Sequence, residues 1–311
     1  MEVDQPELVT VEVDEHSEML MSKGRFFHDF ANYFSIKTNE EEFIKLLSAL
    51  EGDNQLTGSD NEHVKELILS YILPAEEMKD KDSPFLKFYA MIDSFIMFEV
   101  EQLVKVNDED FNRRMQLWKP VAVEHKFKST KYFELPDKLH EEFGMELLKF
   151  KSKGIIDRIN RIDLEKRELE VMEYKTGNWN SKSSSRKTSV RRELAFYAMM
   201  NSPFLIGGVP LERAYYWKIN QLSCFNPEAP ESINYLQESI GTRTTNALLK
   251  QMIRLQLAIE EDDFDRPVCN SFVCMWCNYL DTCGDYYKYQ WNGARDGSFQ
   301  TAKHKRQNER K

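Results

Sequence analysis

Val171-Met172-Glu173-Tyr174-Lys175-Thr176-Gly177 is the stretch on which the reading of this chain turns. A strand points successive side chains to opposite faces, so Glu173 and Lys175 share one side. Asp157, in Gly154-Ile155-Ile156-Asp157-Arg158, stands sixteen residues earlier. The segment between them reads as a hairpin, with Lys151–Ile162 and Glu168–Tyr174 as arms and charged Asp163–Arg167 as the turn. That turn returns the second arm beside the first, so two carboxylates and an ammonium converge. An isolated Glu-x-Lys pair on a strand ordinarily serves solubility. Here Glu168–Met172 is apolar enough to be internal, and the trio suits a divalent cation with an activated water.

Working outward, the first third carries helical periodicity. Phe26, Phe27, Phe30, Tyr33 and Phe34 form one apolar face; Phe43, Leu46, Leu47 and Leu50 form the next. Val64–Leu73 and Phe85–Val106 are predicted helices, and residues 1–20 are acidic and expected to be loose. The pattern changes at Val121, where Val121–Ser129 alternates as a strand does. Beyond Gly177, Ser181–Thr188 reads as a polar loop, Val190–Asn201 as a helix, Leu211–Ile219 as a strand and Thr244–Glu260 as a helix. This order predicts an α/β fold with one central mixed sheet flanked by helices.

The net charge of −10 speaks against a polyanionic partner when taken alone. The charge is uneven, however. Lys182, Arg186, Lys187, Arg191 and Arg192 form a run without an acid among them, directly after the Glu173 strand. Lys182, Lys187, Arg191 and Arg192 are therefore candidate phosphate contacts. A second basic run closes the chain at Lys303–Lys311. An apolar share of 41% supports a packed core, and no run approaches the roughly 18–20 apolar residues of a membrane span. The acidic N-terminus does not read as a signal peptide. An intracellular protein, cytoplasmic or nucleoid-associated, is expected.

Gly154-Ile155-Ile156-Asp157-Arg158, then Glu173-Tyr174-Lys175-Thr176-Gly177, then Arg192-Glu193-Leu194-Ala195-Phe196-Tyr197 resemble, in order, the motifs of the RecB-like branch of the PD-(D/E)XK nucleases. That branch includes the AddB nuclease domain and the CRISPR-associated RecB-like exonucleases. The resemblance runs from about residue 20 to 285. It implies a restriction-endonuclease-like core in which Asp157 and Glu173 bind Mg²⁺ or Mn²⁺ and Lys175 is catalytic. Two further positions match: His28 in Gly24-Arg25-Phe26-Phe27-His28, implied as a metal ligand, and Glu124 in Val121-Ala122-Val123-Glu124-His125, an acid on the preceding strand. Tyr197 matches the tyrosine of a Gln-x-x-x-Tyr motif, implied to contact the scissile phosphate. Glu193 departs from the Gln of that motif, and a carboxylate there suits a metal or a hydrated ion rather than a phosphate.

Four of the five cysteines crowd into Cys269–Cys283, and Cys274-x2-Cys277-x5-Cys283 has the spacing of a metal cage. The resemblance implies a [4Fe–4S] cluster held by this triplet and one upstream cysteine. That upstream cysteine is missing here, which leaves Cys269 or Cys224 as fourth ligand. Zinc, or a vestigial thiol cluster beside Trp276 and Tyr279, is the alternative.

The expected division is an acidic N-terminus (1–20), a helical N-terminal part of the nuclease domain (21–120), a nuclease core (121–265), a Cys-rich metal-binding segment (266–291) and a basic tail (292–311). The expected activity is metal-dependent DNA cleavage. The resemblance adds an exonuclease acting on single strands or DNA ends, in processing, repair or recombination. No Gly-x-x-x-x-Gly-Lys-Ser/Thr loop occurs, so a helicase motor would be a partner. The competing expectations are a catalytically weak DNA-binding or scaffold subunit of a helicase–nuclease complex, and a zinc or iron–sulfur regulatory protein.

Overall fold

The computed structural model describes residues 15–56, 60–106, 110–177, 184–206, 216–229 and 234–260. It divides into two units, residues 15–252 and a second unit formed by 1–14 with 253–311. The described part of the second unit is the helical stretch 253–260. The Cys269–Cys283 segment lies outside the described residues.

The first unit opens with helices α1 (Glu15–Lys37), α2 (Glu41–Gly52), α3 (Asn61–Ile72), α4 (Pro84–Lys87), α5 (Tyr89–Lys105) and α6 (Phe111–Trp118). Strands β1 (Ala122–Glu134), β2 (Leu147–Asp163) and β3 (Glu168–Tyr174) follow, with α7 (Asp137–Phe143) between the first two. Then come α8 (Ser184–Asn201), β4 (Phe204–Leu205), β5 (Tyr216–Phe225), β6 (Tyr235–Ser239) and the first part of α9 (Thr242–Glu260).

The sheet runs β1-β2-β3-β5, with β4 and β6 both paired to β5. Among the described strands only β3 and β5 pair in parallel. A parallel pair needs a long crossover, and α8 lies in it. The expected mixed sheet flanked by helices, with a helical N-terminal part, is therefore what the chain forms.

One face of the sheet carries the helical layer. Phe27, Phe30, Phe34, Phe43 and Phe95 share a core with Met172, Tyr174 and Phe225 from the sheet. Ring pairs such as Phe27–Tyr174 meet edge to face, at 5.5 Å between centroids, the favoured geometry of aromatic quadrupoles. Val190, Leu194 and Ala198 of α8 are buried at helical spacing, and α8 packs on β1, β2, β3 and β5. With both faces covered, β3 is almost wholly buried, which explains its apolar reading.

Several boundaries differ from the sequence reading. α1 begins at Glu15, inside the stretch expected to be loose. Phe85–Val106 is two helices. Ser83 caps α4 through the Phe85 N–H, and the chain leaves helical geometry at Phe88 before α5 begins. Ser184–Thr188, expected as loop, is the start of α8. β5 continues past Ile219 to Phe225, because neighbours on both sides satisfy its polar backbone. β6 and the short helices α6 and α7 carried no sequence signal long enough to register.

Candidate active site

The site lies where the β1–β2–β3 ladder comes apart. β1 and β2 pair at Val123↔Arg158 and again at His125↔Ile156, while Glu124 and Asp157 between them are unpaired. Glu124 has φ +48°, the left-handed region that a non-glycine residue enters only at a cost. β2 and β3 pair as far as Arg158↔Met172. Beyond that point the Asp157 carboxylate accepts the Tyr174 N–H at 2.7 Å. A side chain thus substitutes for a ladder bond and pins Asp157 at the splay.

α1 delivers His28 to the same place. Phe27 is fully buried in the helical core, and the adjacent His28 meets the edge of the sheet with its ring 6.1 Å from that of Tyr174. His28 Nδ1 is 3.5 Å from a Glu124 oxygen and 3.4 Å from Asp157 Oδ1. One ligand atom from each of His28, Glu124 and Asp157 lies within 4.8 Å of the others.

Glu173 and Lys175 follow β3 out of the sheet. The Lys175 backbone N–H donates to Phe225 O, which keeps the chain extended one residue past β3. Its side chain therefore rises on the side of Glu173, and Nζ donates to Glu173 Oε1 at 2.5 Å. The other Glu173 oxygen is buried without a hydrogen-bond partner among the described residues. Lys175 Nζ also lies 3.2 Å from Glu193 Oε2, and the Tyr197 hydroxyl donates to Glu193 Oε1 at 3.3 Å. Glu193 and Tyr197 are four apart on α8 and so share a helix face. The bare Cα of Gly154 admits this arrangement: a Cβ there would stand 2.8 Å from the Phe127 ring and 3.3 Å from that of Tyr197.

The electrostatics describe a strongly negative pocket. Burial, then the neighbouring Asp157 charge, pushes the Glu173 carboxyl up to about 7 against the pull of Lys175. Burial alone would lower His28, yet Asp157 and Glu124 outweigh it and raise the imidazole to about 9. Burial likewise works against the Lys175 ammonium, but Glu173 and Glu193 hold it above its usual range. Burial raises the Tyr197 phenol, with Glu173 and Glu193 adding to it. Asp157 and Glu124 thus favour positive charge at the place where His28 stands.

His28, Glu124, Asp157, Glu173, Lys175 and Tyr197 are thus in one neighbourhood. Sequence reading missed the tie from Glu193 to Lys175; its only signal was the i, i+4 spacing to Tyr197. Arg191 is held by both oxygens of Glu238, and Arg192 is exposed. The side chains of Lys182 and Lys187, and all of Cys269, Cys274, Cys277 and Cys283, lie outside the described residues. Cys224, considered as a cluster ligand, sits inside β5 at 1% exposure, with its thiol pushed up by burial. His125 turns away from the site and packs on Phe204.

A family model described as the PD-(D/E)XK nuclease superfamily matches residues 6–284. A solved structure titled "Crystal structure of SSO0001" is similar at 13% identity, over 64% of this chain and 77% of that chain, with a TM-score of 0.30. No curated protein matches.

Proposed function

The chain belongs to the PD-(D/E)XK nuclease superfamily, and from that premise we propose that it is a Mg²⁺- or Mn²⁺-dependent deoxyribonuclease, an exonuclease acting on single strands or ends in DNA processing, repair or recombination. The superfamily implies metal-dependent phosphodiester hydrolysis. The observation that carries the proposal is the meeting of His28, Glu124 and Asp157, with donor atoms inside 4.8 Å, beside the Glu173–Lys175 pair.

The donor set fits a hard divalent cation. Two carboxylates and an imidazole converge, and Glu173 offers a buried oxygen that has no hydrogen-bond partner among the described residues. His28, Glu124, Asp157 and Glu173 are the proposed ligands. When bound there, Mg²⁺ or Mn²⁺ supplies Lewis acidity to a phosphoryl oxygen and a nucleophilic water near neutral pH. The protein's own groups do the rest. Lys175, fixed between Glu173 and Glu193, presents an ammonium that cannot drift away and offsets charge building on the phosphate. Tyr197 presents a hydroxyl donor on the same side, held by Glu193. Arg192 extends the positive field along α8, with Lys182 and Lys187 as further proposed phosphate contacts and Arg191 available if it exchanges Glu238 for a phosphate.

For the cysteine set we propose a [4Fe–4S] cluster held by Cys269, Cys274, Cys277 and Cys283, with a stapling role. A separate helicase or recombination factor is the proposed partner.

Lys175→Ala removes the ammonium without touching the core. Cleavage should fall at least about a hundredfold, with an unchanged circular dichroism spectrum and melting temperature. A time course on end-labelled single- and double-stranded DNA, with Mg²⁺ and with Mn²⁺, reads activity and direction together. Undiminished cleavage by the variant would sink the role of Lys175. A wild-type protein that binds DNA and never cuts would favour the scaffold subunit.

A further inference from the structure

β1 and β2 continue past the site as a two-stranded ribbon from Lys126–Glu134 and Leu147–Ile155. Burial alternates cleanly along both strands. Phe127, Leu148 and Phe150 lie on the side that faces α8, where Phe127 meets Tyr197 and Phe150 meets Phe196. The other side is exposed. It carries Lys126 and Lys128 from β1 and Lys149, Lys151 and Lys153 from β2. The cross-strand partners are Lys126↔Ile155, Lys128↔Lys153, Thr130↔Lys151 and Tyr132↔Lys149. Among the described residues no carboxylate pairs with any of the five lysines. Glu134, at the far end of the ribbon, is the only acid in the row.

Two bland explanations are available. Exposed lysines keep an edge strand from pairing with other chains. That applies to both strands of the ribbon, since β2 pairs β3 only from Arg158 onward, but one or two outward lysines would serve it and the row has five. A generally basic surface would also suffice, but this chain carries a net charge of −10. Lys128 and Lys153 stand directly opposite each other, an arrangement that is self-repulsive until an anion relieves it. Between the charges are flat and apolar groups: Tyr132 is 60% exposed with Lys149 Nζ 5.6 Å from its ring centre, and Ile155 is 42% exposed.

The row has a direction. Two residues beyond Lys126 is Glu124, and two beyond Ile155 is Asp157. From Lys149 to Asp157 the strand covers roughly 27 Å. Alternating cations with an exposed ring are what a single strand asks for, phosphates on one and bases on the other, whereas a duplex hides its base faces.

We propose that the exposed face of the β1–β2 ribbon is a track that binds a single-stranded DNA tail and leads it to Glu124 and Asp157. This rests on the nuclease reading for its occupant and uses none of the arginines or lysines assigned above.

The test substitutes Lys128, Lys151 and Lys153 by Gln in the full-length protein, all three being exposed and outside the catalytic set. Binding of a labelled oligothymidylate of about 16 nucleotides is measured in EDTA over a range of salt. If the three lysines each displace a counterion, the slope of log affinity against log salt should become shallower by about 2. Cleavage of a dinucleotide, too short to reach the row, should be unchanged. A slope equal to wild type overturns the track, as does a slope change seen with duplex and not with the single strand. Tyr132→Ala should weaken binding without changing the slope; no weakening would overturn the single-strand assignment. The slope decides the track even if the wild type cuts neither substrate, a result that counts against the catalytic reading alone.

Discussion

At the residue scale, Glu124 is the position that most separates function from stability. A left-handed non-glycine residue costs on the order of 1–3 kcal/mol, more than the roughly 0.5–1 kcal/mol of extra entropy a glycine loses on folding. Glu124→Gly should therefore be at least as stable as wild type in EDTA, by up to about 1 kcal/mol, and more stable than Glu124→Ala, which keeps the strain. Both should bind Mn²⁺ more weakly. Urea unfolding and metal titration check the two halves separately. The same pocket sets a pH dependence. Burial and Asp157 push the Glu173 carboxyl up to about 7, and Asp157 and Glu124 raise His28 to about 9 against burial, each above its ordinary value of 4.5 or 6.5. The folded state therefore holds more protons than the unfolded one, so stability without metal should fall as pH rises, first from 4.5 to 7 and then from 6.5 to 9. A divalent cation must displace those protons, so its affinity should rise over the same range and its binding should release protons. Melting curves in EDTA and calorimetry in buffers of different ionisation enthalpy read both; a melting temperature that climbs from pH 5 to 9 would contradict the assignment. At this scale much was legible. The same-face relation of Glu173 and Lys175 follows from strand period alone. Motif order already placed Glu124 and His28 at one site; the left-handed turn that brings Glu124 there was not legible, because its side chain does not favour that backbone state.

At the element scale, the splayed ladder is braced from behind. Arg158, fully enclosed, pairs with Glu99 of α5 and donates to Asn160, the Tyr174 hydroxyl and Trp118 O. This ties β2 and β3 to α5 and α6 directly under Asp157. Arg158→Met leaves Glu99 buried and unpaired, which should cost about 3–5 kcal/mol, while removing both charges together should recover much of that. Chemical denaturation of Arg158→Met, Glu99→Leu and the double variant measures the coupling. On the opposite face, Gly154→Ala forces the Phe127 ring away and should destabilise by about 1–3 kcal/mol, with a loss of cleavage as Tyr197 shifts. A fully stable and active variant would show that the contact has slack. The hairpin and the longer helices could be read from periodicity. β6, α6 and α7 could not, since short elements owe their existence to the neighbours they pack on. The Glu99–Arg158 pair was equally hidden, as nothing local marks two charges far apart in sequence as partners.

At the scale of the whole molecule, charge is distributed against its own average. The chain is acidic, yet one ribbon face is lined with lysine, and the acid-rich pocket lies at its end. Iron analysis and the visible spectrum of the purified full-length protein test the proposed cluster at Cys269–Cys283. Brown colour with iron is expected, and a colourless protein holding zinc would replace the cluster with a zinc site. Fold class, the shared side of Glu173 and Lys175 and the order of the motifs could all be read along the chain, because strand and helix periods are local properties. Tertiary structure alone decided that Glu124 and Asp157 fall out of the ladder together and that Glu193 closes on Lys175. It also decided that lysines from two strands form one row. Each of these depends on register and on which faces are covered, and those are fixed by contacts between residues that are distant in sequence.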